Sequence, residues 1–340
     1  MFFNFKQNEV LGLDIGSSSV KIIQLSKDIS GYAVIAAGII DISPHEGDKV
    51  LSTVKAIRTC LELTGVQTKF AVCSVCGPEV AVRDFELPSL PPEETEGAIL
   101  LEASQVCPFN IKDGSVDYQL IPRGDEKTSG VLVAVTDSIA KNKRQLVQEA
   151  SLDCVLMDVD GLALLNCFSA YQKPQAGQTI AILNVGSSFT TLAIMRDNGL
   201  PFIRDLAYAG DDIVEQIATE KNLQAETVKK ILCGESVTEQ IELRDSLEKA
   251  CNKLIIDVTK TSHYYKAEEK PAFVEKIFVS GGFAQVKGFV ELLNNRLPAK
   301  AVLWNPFEKI RCKTGQWSRS ILESRGPAMV VAAGLAMRSI

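Results

Sequence analysis

Apolar and polar positions fall into short runs from the start of the chain. Val10–Ile15, Val20–Ser26 and Gly31–Ile42 are β-rich, with a Gly-Ser turn at 16–19 and the turn KDISG at 27–31 between them. That pattern predicts three adjoining antiparallel strands. Leu51, Val54, Ile57 and Leu61 then recur at helical spacing, so Val50–Leu63 reads as a helix, and Lys69–Val75 as a further strand. Prolines cluster in ELPSLPPEE, 86–94, and acidic residues open a helix over Glu93–Val106 that CPFN ends. Val116–Pro122 and Val131–Val135 read as strands around the polar loop RGDEKTSG, and Ser138–Ala150 as a helix. The block from about 79 to 152 is therefore expected to be a small α/β insertion with its own sheet. Val155–Val159 resumes a buried strand and Gly161–Tyr171 a helix.

QKPQAGQ, 172–178, is a linker by composition, and the opening pattern then repeats in Thr179–Val185, Phe189–Arg196 and Leu200–Tyr208. Residues 211–250 carry ten acidic and five basic side chains, which reads as a solvated helical surface. Leu247, Cys251, Leu254, Val258 and Tyr265 trace one face of a long helix. Phe273–Val279 reads as a strand, SGGFAQ as a turn, and Val286–Leu297 as a helix. GPAMVVAAGLAM, 326–337, sets Pro327 where a helix starts and follows it with small residues that permit close packing. The chain thus reads as a tandem duplication in α/β: residues 1–175 form one domain, 176–326 a second with an outer helical part at about 209–272, and 327–340 a helix returning to the first.

Composition narrows the function. With 340 residues, 46 % apolar and 23 % charged, the chain has ordinary globular composition and length for two domains. Its net charge of −6 argues against a nucleic-acid partner, which would ask for a basic face. No apolar run approaches the roughly 20 residues of a membrane span, and MFFNFKQNEV has no long apolar h-region. The expectation is a cytoplasmic protein. Nine cysteines sit mostly in apolar runs, as reduced buried thiols do. Cys73 and Cys76 form CSVC, which also admits a redox or zinc reading. No second CxxC accompanies it, and there are only two histidines, His45 and His263.

The chemistry lies in the repeated turn. LDIGSSSVK (13–21) is answered by LNVGSSFTT (183–191), with Asp14, Gly16, Ser17 and Ser18 matched by Asn184, Gly186, Ser187 and Ser188 at a constant offset. A glycine at such a turn lets successive amides and serine hydroxyls form an anion cradle. One turn can serve hairpin geometry alone. Two in matched halves would face each other across a cleft and grip a polyphosphate from both sides. Asp14 could hold the waters of a Mg²⁺ ion, and Lys21 could reach phosphate oxygens. VSGGFAQVKGF, 279–289, adds a glycine turn between strand and helix whose flat surface suits an adenine or ribose face, or is simply a connector.

Together these stretches resemble the actin/Hsp70/sugar-kinase ATPase family, whose fold is ribonuclease H-like and duplicated. LDIGSSSVK, including Ser19 and Lys21, resembles the first phosphate loop, and LNVGSSFTT, including Thr190, the second. DVDGLALLN (158–166) and GPAMVVAAGLAM resemble the two connecting helices. VSGGFAQVKGFVELL, with Gly281, Gly282 and Phe283, resembles the adenosine loop. Gly210, Glu226 and Lys229 resemble the glycine and Glu-x-x-Lys pair that flank ribose and adenine. Within that fold, GLDIGSSSVKIIQL and LPSLPPEETEGAILLEASQVCPFNIKDGSVDYQLI (87–121) resemble the type IV pilus assembly PilM family, with its extra subdomain placed as in FtsA. The resemblance implies bound ATP and Mg²⁺ and a groove beside the insertion that holds the N-terminal tail of a PilN-like bitopic membrane protein. It also implies further pilus platform and motor proteins as partners, and a place on the inner face of the cytoplasmic membrane reached only through them. Homo-oligomerisation stays open.

Two positions depart from the ATPase pattern. Asn184 stands where the second loop usually carries Asp, which keeps hydrogen bonding but drops a charge that organises metal and water. Binding should survive, with hydrolysis weak or absent. Asp160 stands where relatives place the residue that orients water. It is the candidate catalytic group, or else a cap for the helix from 161, the reading the sequence favours. Other readings are an FtsA-like division filament, a type II secretion module and a small-metabolite kinase of the same fold. The kinase needs a sugar pocket in the region that the insertion replaces. FtsA ends in a membrane helix, whereas this sequence closes at AMRSI.

Overall fold

A computed structural model describes residues 10–43, 47–122, 127–197, 199–234, 241–268 and 273–338. His45 and the first residues of the polar loop, 123–126, lie outside the described residues.

Strands β1 (Val10–Ile15), β2 (Ser19–Asp28) and β3 (Gly31–Asp41) form the expected antiparallel meander. Helix α1 (Lys49–Thr64) follows, capped by Asp48, whose carboxylate accepts from the amides of Val50 and Leu51. β4 (Phe70–Val75) returns parallel to β1. The insertion contributes β5 (Val80–Pro88), α2 (Pro92–Val106), β6 (Gly114–Pro122) and β7 (Lys127–Thr136), and its strands pair antiparallel in the order β5-β7-β6. Phe85, Ile99, Ala103 and Leu132 form a small core of their own there. α3 (Asp137–Glu149) instead buries Val147 among Leu11, Leu13, Ile22 and Ile57. β8 (Asp153–Val159) joins β4 in parallel, and α4 (Asp160–Ser169) follows.

The second half repeats the plan. β9 (Thr179–Val185), β10 (Thr190–Arg196) and β11 (Phe202–Leu206) form a meander. α5 (Gly210–Lys221), α6 (Ala225–Leu232), α7 (Arg244–Ala250) and α8 (Asn252–Glu268) follow. The long helix read through Leu247 and Tyr265 is thus interrupted at Cys251. β12 (Val274–Ser280), α9 (Phe289–Arg296) and β13 (Lys300–Leu303) complete the sheet. Sheet order is β14-β3-β2-β1-β4-β8 in the first half and β11-β10-β9-β12-β13 in the second, where β14 is Arg311–Cys312. Both sheets therefore hold an antiparallel trio followed by two parallel strands, and the duplication seen in the turns extends through both.

α10 (Gln316–Arg325) and α11 (Val330–Ala336) close the described chain. α4 and α11 share one apolar cluster with residues of both sheets. Every residue of α11 is buried. A Cβ on Gly12 would stand 2.1 Å from the Ala332 carbonyl oxygen, and one on Gly334 1.8 Å from that of Ala163. Glycine is needed at both places because backbone meets backbone.

Candidate functional site

The two serine turns have the same internal geometry. The Gly16 amide donates to the Ser19 carbonyl at 3.0 Å, and the Gly186 amide to the Phe189 carbonyl at 3.0 Å. Each turn closes a β hairpin, so each glycine follows the end of a central buried strand. No described residue accepts from the amides of Ser17, Ser18, Ser187 or Ser188. The turns also meet: the Ser187 hydroxyl lies 2.8 Å from that of Ser18 and donates to it.

Asp14 faces Lys21 across the first hairpin, with Lys21 Nζ 3.2 Å from Asp14 Oδ2 and both side chains largely buried. Lys143 from α3 donates to the Ile15 carbonyl at 2.7 Å, so a second cation reaches this turn that the sequence did not single out. In the second half, Asn184 Oδ1 accepts from the Ser280 hydroxyl at 3.3 Å, its neighbour in register on β12.

The third turn joins the second. A Cβ on Gly281, which has φ +94°, would stand 2.3 Å from the Val185 carbonyl oxygen, while Gly282 faces open space. Phe283 is buried, edge-on to Phe289. It also lies under Gly210, where a Cβ would meet its ring at 2.9 Å. The amides of Gly210 and Asp211 donate to the Gly186 and Ser187 carbonyls at 3.0 and 2.8 Å, so α5 starts directly on the second turn. Lys229 pairs with Asp211 at 3.0 Å, and Glu226 is exposed one turn before it on α6. Asp211 is a neighbour the sequence pattern did not supply.

Two expected residues serve the fold. Thr190 is fully buried and donates to the Tyr208 carbonyl at 2.8 Å, so its hydroxyl is not free for a ligand. Ser19 is buried in β2, with its carbonyl closing the turn.

Asp160 does not cap a helix, contrary to the favoured expectation. It is the first residue of α4, and no side chain caps that helix. Its Oδ1 accepts from Ser74 on β4 at 2.6 Å. Burial pushes its pKa up to about 7, and the negative charges of Asp14 and Asp205 add to that rise; Ser74 and Lys143 oppose it. Asp205 on β11 is the acid that sequence reading missed. It accepts from Thr191 Oγ1 at 2.6 Å and from the Gly77 amide at 2.7 Å. Burial raises its pKa too. Cys76 lies beside both acids, and burial followed by these charges drives its thiol upward, away from a reactive thiolate. Cys73 is raised as well, first through its hydrogen bond with Cys154. Among the described residues no group of three His, Cys, Asp or Glu side chains could hold a metal.

The donor set fits a nucleotide with a hydrated Mg²⁺. Gly16 and Gly186 allow the two tight turns, where a Cβ would meet the turn's own carbonyl at 3.0 and 2.9 Å, and the undonated amides of the serines with Lys21 suit phosphate. Asp14, paired with Lys21 and near Asp160, suits Mg²⁺ held mainly by water and phosphate oxygens.

Comparison with known proteins agrees with the fold. The family model for type IV pilus assembly protein PilM matches residues 12–340. A solved PilM-PilN type IV pilus biogenesis complex aligns with 97 % of this chain and 98 % of that one, at a TM-score of 0.82 and 23 % identity. A diol dehydratase-reactivating factor in nucleotide-free form aligns with 96 % of this chain and 98 % of its own at TM-score 0.56 and 11 % identity. Cell division protein FtsA of Bacillus subtilis (strain 168) is 24 % identical over 257 residues, 65 % of this chain. The match spans 57 % of FtsA's own length. The fold is actin-like.

Proposed function

The chain belongs to the type IV pilus assembly protein PilM family, and on that premise we propose that it is an ATP-binding module of the pilus assembly platform. In this reading it holds the N-terminal tail of a PilN-like membrane protein and hydrolyses ATP weakly or not at all. The observation that carries the nucleotide part is the meeting of two serine turns with undonated amides, one from each half of the duplicated fold. Phosphate oxygens between the turns would take over the Ser18–Ser187 contact and accept from both sets of amides. Lys21 would offset their charge. Bound Mg²⁺ would add positive charge beside Asp14. Gly281 and Gly282 would present flat backbone to the adenosine.

Asn184 supports holding over cutting. It accepts from Ser280 but brings no charge to orient a cation or water. Asp160 is the remaining acid for a water-orienting role, and its oxygen is already bonded to Ser74. Slow phosphoryl transfer would rest on positioning and on the charge of Mg²⁺ and Lys21. Phosphate release measured for wild type and Asn184→Asp tests this: the variant should gain roughly 100-fold, the order of one restored electrostatic contact. Efficient turnover in the wild type would sink the holding role.

For the tail, support comes from the insertion. Leu100 and Leu101 on α2, with Tyr118 and Leu120 on β6, are exposed apolar side chains, and β6 is an outer strand of its sheet. Such an edge can receive an extended peptide, with pockets for alternate side chains. No described helix is long and apolar enough to cross a membrane, and the proposed membrane association comes through the partner. A cytoplasmic place on the inner face of the membrane follows from that proposal.

A further inference from the structure

The insertion leaves the first sheet at Gly77. This glycine has φ +113°, a conformation that side chains rarely adopt. Its carbonyl accepts from the Val80 amide at 3.0 Å and so sets the turn into β5. Its amide points the other way, into the second half of the molecule, and donates to Asp205 Oδ2 at 2.7 Å. The other oxygen of Asp205 accepts from Thr191 at 2.6 Å. Thr191 stands opposite Asp205 on one side and opposite Asn184 on the other. A line of three cross-strand neighbours therefore runs from the second serine turn to the root of the insertion. Phe189, the last residue of that turn, reinforces it: a Cβ on Gly77 would lie 3.2–3.5 Å from three of its ring atoms. The returning strand is tied in as well. The Thr136 amide donates to the Glu79 carbonyl at 3.2 Å, and its hydroxyl to the Glu79 carboxylate at 2.5 Å.

We propose that Asp205 is a positioning residue that couples the second serine turn to the insertion, by fixing the Gly77 amide to the strands that carry the turn. The coupling rests on the nucleotide reading of that turn. A displacement of β10 would carry Asp205 and Phe189 with it. The insertion's stem would follow, because its two chain crossings are bonded to each other. Coupling of this kind needs a physical element that both sites bias, and the Asp205–Gly77 contact joins them.

The substitutions separate coupling from mere support. Asp205→Ala removes both acceptors. Asp205→Asn keeps a carbonyl for Gly77, and the Thr191 hydroxyl can turn to accept from the new amide. Asn should therefore restore what Ala loses. Hydrogen–deuterium exchange of the full chain, with and without Mg-ATP, reads the effect by segment. In the wild type and Asp205→Asn, Mg-ATP should slow exchange at residues 14–21 and 184–191 and also change it at 77–88. In Asp205→Ala the turns should still respond while the change at 77–88 disappears. If Asp205→Ala does not fold, Phe189→Leu should weaken the response at 77–88 and keep that of the turns. A wild-type response confined to the turns would overturn the coupling alone, as would one that still reaches 77–88 in Asp205→Ala. Silence at the turns themselves in the wild type would sink the nucleotide reading and the coupling with it.

Discussion

Asp160 shows how much a single acid can be changed by its surroundings. Its pKa is lifted from the ordinary 3.8 to about 7 by burial first and by Asp14 and Asp205 after it. The folded chain therefore keeps a proton that the unfolded chain releases. Stability from this group is fully present below about pH 4 and is lost as pH rises towards 7. Asp160→Asn keeps an acceptor for Ser74 and removes the charge. It should flatten the pH slope of stability over that window and be more stable than wild type at pH 8 by on the order of 1 kcal/mol or more. Urea midpoints at pH 5 and pH 8 check this, and an unchanged slope would contradict it. Asp160 was marked because it stands where relatives place the water-orienting residue, and the cap was favoured because an acid before a helix is so often one; that local logic misled. Its partner, Ser74, lies on a different strand, and only the parallel pairing of β4 with β8 brings them together. Asp205 was harder still. It sits in an ordinary strand, FIRDL, and its meaning comes from Gly77 in the other half of the molecule. By contrast, Asp14 and Lys21 could be read from the hairpin, since strand register alone sets them opposite each other.

Among the elements, α11 is the one on which the site most depends. It touches β1, which carries Asp14, and α4, which begins with Asp160. The contact is between backbones, so size matters more than polarity. Gly334→Val should push α11 away from α4 and cost roughly 3 kcal/mol or more, as overpacking against immovable atoms does. A denaturant midpoint measures it, and a neutral change would refute the close approach. The run of small residues in GPAMVVAAGLAM made this packing legible. β5 was not named as a strand, because the proline-rich stretch beyond it dominates the local pattern. β13, β14 and α10 were missed for a related reason: each is short, and β14 is a two-residue pairing that only β3 defines. The interruption at Cys251 also escaped, since apolar spacing continues across it.

At the scale of the whole molecule, the repeated turn makes the duplication readable from the amino-acid sequence alone. Matching residues within each half predict matching hairpins, and the two sheets repeat the same order over five strands, to which β14 adds an edge in the first. That the two turns face each other followed from their match; that the Ser187 hydroxyl bonds directly to that of Ser18 did not, because nothing local pairs those two side chains. The insertion and the cleft should carry separable functions. Leu120→Lys on the exposed face of β6 should weaken binding of a PilN-like tail peptide about 10-fold or more, the scale of a lost apolar anchor, and leave Mg-ATP affinity unchanged. Fluorescence anisotropy of a labelled peptide reads the first, and equal peptide affinity in both proteins would move the tail site elsewhere. The central claim, that the paired serine turns hold Mg-ATP, is tested most directly by calorimetry of Mg-ATP with wild type and Lys21→Met. The account predicts saturable one-site binding to the wild type and a loss of roughly 10- to 100-fold in the variant, the worth of one charge-assisted contact to phosphate. No binding by the wild type, or equal affinity in both proteins, would contradict it.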